Sequence, residues 1–66
     1  MMENDPQYKY LYLNTLLIPL IGAQNTEDWW NTGNKAFGGL PPISIYETRF
    51  KDIKQYLLAQ YGGEYL

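Results

Sequence analysis

Residues 29–42 read WWNTGNKAFGGLPP, and they divide the chain in two. The stretch holds both tryptophans, three of the six glycines and two of the four prolines. Glycine and asparagine tolerate the positive φ that a tight reversal needs, so neither a long helix nor a strand runs through such a segment. An apolar segment lies on each side, over 8–21 and over 43–61. A chain punctuated this way folds by laying its two flanks together and packing them on what the middle supplies.

The means of doing so are limited. A chain of 66 residues buries only about 60% of the surface it exposes when unfolded. It has no Cys and no His, so a disulfide is excluded and a structural zinc site would lack its usual ligands. Two Trp, seven Tyr and two Phe supply large buried areas instead. Part of that aromatic surface is expected against another chain, either a second copy or a different protein. The 66 residues are read as a single domain, with 1–5 frayed.

Charge narrows the partner. The net charge is −2, the pI is about 4.7, and five cations are scattered without a basic run. Nucleic-acid binders neutralise phosphates with clustered Lys and Arg, so direct DNA or RNA binding is not expected. The longest apolar run, 16–21, is interrupted by Pro19 and falls far short of the ~20 residues needed to span a bilayer. The first five residues, MMEND, are acidic and precede no signal-type core, so a cytoplasmic protein is expected.

Asp5-Pro6 is a helix start: an Asp side chain caps free N–H groups, and Pro at the first helical position loses nothing. Tyr8, Leu11, Tyr12, Thr15 and Leu16 then fall on one face at helical spacing. The aromatics of 8–13 also suit a strand, but they do not alternate with polar residues and no comparable second strand follows. Pro19 is expected to end or kink this helix, and Gly22 to reverse the chain. Asn25 or Thr26 can cap a short second helix with Glu27 and Asp28 in its first turn. Trp29 and Trp30 stand about 100° apart on it, so one is expected in the core and one at an edge. Trp29 reads as a core anchor, while Trp30 stands between core and edge, where an exposed tryptophan serves as an interface anchor; sequence alone does not decide which of the two is exposed.

Phe37, apolar within a polar loop, is expected to plug into the core. Pro41-Pro42 leads into a third helical region, with Pro42 at the first position. Ile43, Tyr46, Phe50, Ile53, Leu57 and Tyr61 form an amphipathic stripe. Thr48 can cap a new helix near Arg49, so two helices with a bend are favoured over one. Gly62 and Gly63 close the last helix. The expected fold is all-α: a small bundle of three to four helices with a Gly-rich central loop.

Catalytic chemistry is hard to build from these residues. Without His and Cys, the commonest general base and the most readily activated thiol are both absent. Ser44 is the one serine and has no evident base. Glu27 and Asp28 suit a helix first turn, and Glu47 and Asp52 a solvated helix face beside Arg49, Lys51 and Lys54. Gly38-Gly39 lacks the third glycine and preceding strand of a dinucleotide fingerprint. No enzyme activity, cofactor or metal is expected.

The order of residues 29–43 resembles the toxin-binding domain of Xre/MbcA/ParS-type antitoxins, whose pattern runs approximately W-L-x-T-P-N-x-A-L-G-G-x-T-P-L into a helix. Trp29, Asn34, Ala36, Gly38, Gly39 and Pro42 match directly, Thr32 matches less diagnostically, and Phe37 and Ile43 are apolar replacements. Tyr61-Gly62 is similar to the Tyr-Gly or His-Gly end of the family's last helix. The likeness covers about two-thirds of the chain. Trp30 stands where the family has an aliphatic residue, Gly33 where proline is common, and Pro41 where Thr is usual. There is no room for the N-terminal helix-turn-helix region of longer members.

The resemblance implies a homodimeric protein that inhibits a partner toxin of the RES class, which attacks NAD or transfers ADP-ribose, by covering its active-site entrance. Carried over, it implies partner contacts at Asn34, Ala36, Phe37, Gly38 and Gly39, and in the tail from Tyr61 through Tyr65 and Leu66. Trp30 joins them as a candidate edge residue. Tyr65 and Leu66 have a second reading, folding back on the last turn as glycine-capped ends do. The alternative function is an oligomerisation or adaptor module with the same fold and another protein partner.

Overall fold

The structure, a computed structural model, describes residues 5–62. Among them there are three α-helices, α1 (Pro6–Ile21), α2 (Thr26–Asn31) and α3 (Phe50–Gly62), and no strand. Single 3-10 turns at Ala23–Asn25, Lys35–Phe37 and Pro42–Ser44 fill the connections. The all-α expectation holds.

Helix α1 starts where the sequence places it. Asp5 is extended (φ −75°, ψ 122°) and its carboxylate accepts the Gln7 N–H at 2.9 Å. Asp5 is thus a fixed cap and does not belong to a frayed end; 1–4 lie outside the described residues. Pro19 does not end the helix, which continues to Ile21. In the last turn a proline forfeits one hydrogen bond, and the turn is closed by Gly22 N–H donating to Ile18 O at 2.8 Å. Asn25 Nδ2 donates to Ile21 O at 2.7 Å, and Gly22 leaves the helix at φ +89°.

That use of Asn25 corrects the expected cap of α2. Asn25 has helical geometry and its side chain caps nothing in α2, while Thr26 Oγ1 donates back to Ala23 O at 2.9 Å. The 3-10 turn runs straight into α2, so its own carbonyls take the N–H groups a cap would have served.

The inward face of α1 also differs from the expected one. Leu13 and Leu17 are fully buried, whereas Leu11 is 53% exposed and Thr15 lies on the surface. Tyr12 and Leu16 pack partly against the core. Apolar side chains encircle α1 almost completely, so their spacing selects no face and the neighbouring helices do. Helix α3 lies along one side and runs parallel to α1: Lys9 meets Phe50, Tyr12 meets Lys54, and Tyr61 reaches Leu16 in step. Helix α2 lies on another side, with Trp30 against Tyr10 and Asn14. Ile53 and Leu57 of α3 close the core with Phe37 and Ile45.

The break before α3 is longer than a bend. Pro42 opens only a single 3-10 turn, after which 45–49 form turns and α3 begins at Phe50. Ser44 Oγ takes the Pro41 carbonyl at 2.7 Å, in competition with regular helix bonding, and Ile45 leaves helical geometry at φ −130°, ψ −1°. Thr48 donates back to Ile45 O at 3.5 Å and does not cap α3. Ile43 and Tyr46 therefore sit off the helix. Gly62 is the buried last residue of α3, and Gly63 lies outside the described residues.

Candidate functional site

The loop that carries the sequence motif is organised by Asn34. Its Oδ1 accepts the Ala36 N–H at 2.9 Å, its carbonyl accepts from Phe37 and Gly39 N–H at 2.9 Å each, and its N–H donates to Leu40 O at 3.2 Å. One residue thus ties both ends of the turn, as an Asx cap does. Gly38 and Gly39 follow at φ +68° and +86°. An L side chain is strained in that region, so these two glycines are required by backbone geometry. A Cβ built on either meets nothing within 4 Å, so the outer face of the turn is open.

Gly33 has a different reason for being glycine. A Cβ there would lie 2.5 Å from Gly39 O, inside any tolerable contact. The two strands of the loop pass so closely that only a hydrogen fits. Sequence reasoning noted Gly33 only as turn chemistry, because a close approach between distant residues leaves no local signal.

The structure decides which tryptophan is buried. Trp30, a candidate edge residue and partner contact, is 1% exposed, and Trp29 is the half-buried one. The Trp30 ring lies 4.8 Å from Tyr10, 5.4 Å from Trp29 and 5.6 Å from Tyr46 between centroids. Its Nε1–H donates to Asn14 Oδ1 at 2.8 Å, which satisfies the one polar atom of the ring. Asn14, a lone amide within the apolar stretch of α1, is the signal that could have placed Trp30 inward. Trp30 is not available as a surface contact in this fold.

Phe37 is the expected plug at 2% exposure, held edge-on by Tyr56 at 5.3 Å and Trp29 at 6.4 Å. Burial corrects its candidacy as a contact residue. The loop's outward apolar surface comes instead from Leu40 and Ile43, both exposed. Asn34 is half-buried, and Ala36, Gly38 and Gly39 are exposed beside Leu40. Tyr61 is 44% exposed while its hydroxyl donates to Leu16 O on α1. Tyr65 and Leu66 lie outside the described residues.

A second surface escaped sequence reading. An open groove of about 690 Å³ runs between the first turns of α1 and the corner at 47–54. Tyr8, Tyr12 and Phe50 line it with Lys9, Arg49, Lys51 and Lys54. Lys9 donates to Glu47 O at 2.8 Å and its amine lies 5.9 Å from the centre of the Phe50 ring. The Lys54 amine lies 5.6 Å from the Tyr12 ring, and Arg49 pairs with Asp52 at 3.0 Å. The cations looked dispersed in sequence because Lys9 is separated from the others by most of the chain. At the inner edge, burial pushes the Tyr46 hydroxyl above its ordinary pKa, with the negative charges of Glu47, Tyr10 and Asp5 adding to the effect.

Among the described residues no group of three His, Cys, Asp or Glu gathers to hold a metal ion, and no helix is long and apolar enough to cross a membrane. Compared with protein-family models, with curated proteins and with solved structures, the chain finds no match.

Proposed function

We propose that the chain is an antitoxin-type protein-binding module, without chemistry of its own, that inhibits a partner toxin of the RES class by covering its active-site entrance. The observation that carries this reading is the loop at 33–43. Asn34 and the glycines hold a fixed turn, and that turn exposes Leu40 and Ile43 as an apolar contact surface. Such a surface, on a scaffold already ordered, loses little conformational entropy on binding. The reading places the protein in the cytoplasm with its toxin and gives it no direct role on nucleic acid.

Co-expression with the protein encoded by the adjacent gene tests it. The neighbour is expected to arrest growth alone, to be relieved by this chain, and to co-purify with it. A neighbour that is harmless, or toxic yet neither bound nor relieved, overturns the reading. Leu40→Asp is expected to weaken the complex at least tenfold while leaving the melting transition in place.

A homodimer-forming adaptor is the second reading, favoured by Leu11 and Ile18. These lie seven residues apart on the outer side of α1 and are 53% and 41% exposed. Because both readings allow a dimer, light scattering after size exclusion distinguishes them only together with the co-expression result. A stable dimer that Leu11→Glu dissociates, from a chain with no toxic neighbour, favours the adaptor.

A further inference from the structure

The groove between α1 and the 47–54 corner has a charge balance opposite to that of the rest of the chain. The sequence has five cations and seven carboxylates, net −2. Four of the five cations, Lys9, Arg49, Lys51 and Lys54, line the groove against two carboxylates, Glu47 and Asp52. The groove is therefore +2, and the remaining one cation and five carboxylates make the rest of the chain −4. Arg49–Asp52 is the sole ion pair among the described residues. Lys9, Lys51 and Lys54 have no carboxylate within ion-pair distance there. Two of these amines rest over aromatic rings, which hold a cation in place without neutralising it.

From this we infer that the groove is a docking site for an acidic, extended segment of a partner protein. Its carboxylates pair with Lys9, Lys51 and Lys54, and its apolar side chains lie on Tyr8, Tyr12 and Phe50. Beyond the groove on α3, Leu58, one turn past Lys54, is 43% exposed and offers a further apolar contact. Lys51 to Leu58 is seven helical steps, about 10 Å at 1.5 Å per residue, which three to four residues of extended chain span. A long polyanion such as nucleic acid is disfavoured, because the −4 remainder of so small a protein repels it. The inference concerns this groove alone and holds whatever the activity of the partner.

Titration of the isotopically labelled protein with a blocked hexapeptide of alternating Glu and Phe, followed by amide NMR shifts, tests it. Saturable shifts are expected over 8–12 and 47–58. The double variant Lys51→Glu/Lys54→Glu is expected to weaken binding at least tenfold, and Lys35→Glu, away from the groove, to leave it unchanged. Should the charge reversal prevent folding, Lys51→Gln/Lys54→Gln is expected to give a smaller loss in the same direction. No saturable shift, or equal weakening by Lys35→Glu, overturns the site. Pyrophosphate saturating the same amides more tightly than the peptide makes it a small-anion site instead. Groove shifts that appear on concentrating the protein alone replace the acidic segment with a second copy.

Discussion

The loop at 33–40 and the groove beside α3 use their side chains in opposite ways. In the loop the motif side chains serve the fold: Asn34 satisfies its neighbours, Phe37 fills the core, and Gly33 lets Gly39 approach. Its large apolar side chains left facing a partner are Leu40 and Ile43, beside the exposed Ala36, Gly38 and Gly39. In the groove the polar groups face outward: Lys9 and Lys54 are steadied by backbone or rings, and neither they nor Lys51 has a carboxylate partner among the described residues. Order in the loop is a condition of folding. Charge in the groove is available for binding. Of the residues that make the motif recognisable, Phe37 and Pro42 are out of a partner's reach, while Ala36, Gly38 and Gly39 remain exposed.

Substitutions separate the two regions sharply. Trp30→Ala removes the largest buried side chain together with the Asn14 hydrogen bond. It is expected to cost about 3–5 kcal/mol, against a total of about 3–10 kcal/mol for a chain of this length. Urea titration by circular dichroism should show a largely unfolded variant, whereas Trp29→Ala should still fold. If Trp29→Ala is the more damaging, the assignment of the core tryptophan is wrong.

Within the loop, Gly33 and Gly39 are distinguished by chemistry. Gly33→Ala is expected to cost about 1–3 kcal/mol, as overpacking does, and Gly33→Asn no less. Gly39→Val is strained only by its φ, at about 1–2 kcal/mol, and Gly39→Asn should recover much of that because Asn tolerates the left-handed region. Equal responses to Asn at both positions would remove the distinction between collision and strain. Asn34→Ala loses the Asx bond and is expected to lower the urea midpoint by about 1 kcal/mol of stability, the usual value of such a cap.

The groove should be nearly silent in the same assay. Lys51 is exposed and without an ion pair among the described residues, so Lys51→Glu is expected to change stability within about 0.5 kcal/mol. A larger loss would mean that the groove, too, is a condition of folding. Tyr46 gives a weak alkaline effect at its margin. Its folded-state pKa is raised, so the unfolded chain loses that proton first. Its contribution is complete below the ordinary tyrosine value of ~10 and declines as pH rises above it. A pH series of melting temperatures with Tyr46→Phe checks this: the variant should lose less on going alkaline.

What could be read from sequence was what short-range chemistry decides. Asp5-Pro6 specifies a helix start, and the stripe at 53 and 57 points one way because Lys51, Asp52, Gln55 and Gln60 mark the outer face of α3. Positive φ at Gly38 and Gly39 follows from their place in a tight turn. Residues whose role depends on distant partners were not legible. Trp30 is chosen over Trp29 by Asn14, and Leu13 and Leu17 over Leu11 by the arrangement of α2 and α3. Gly33 answers to Gly39, six positions on, and Lys9 joins the other cations only when α1 and α3 are side by side.

That parallel arrangement of α1 and α3 has an electrical consequence. Peptide dipoles sum along each helix to about half a positive charge at its start and half a negative one at its end. Neighbouring helices that run the same way add these fields instead of cancelling them. Both helix starts lie at the end of the molecule where Lys9, Arg49 and Lys51 gather. Asp5, Glu47 and Asp52 lie at the same end and balance those three cations, so it is the aligned dipoles that tip this end toward positive in a protein of net charge −2. The acidic segment proposed for the groove would meet that field as it docks, and raising the ionic strength should then slow the encounter.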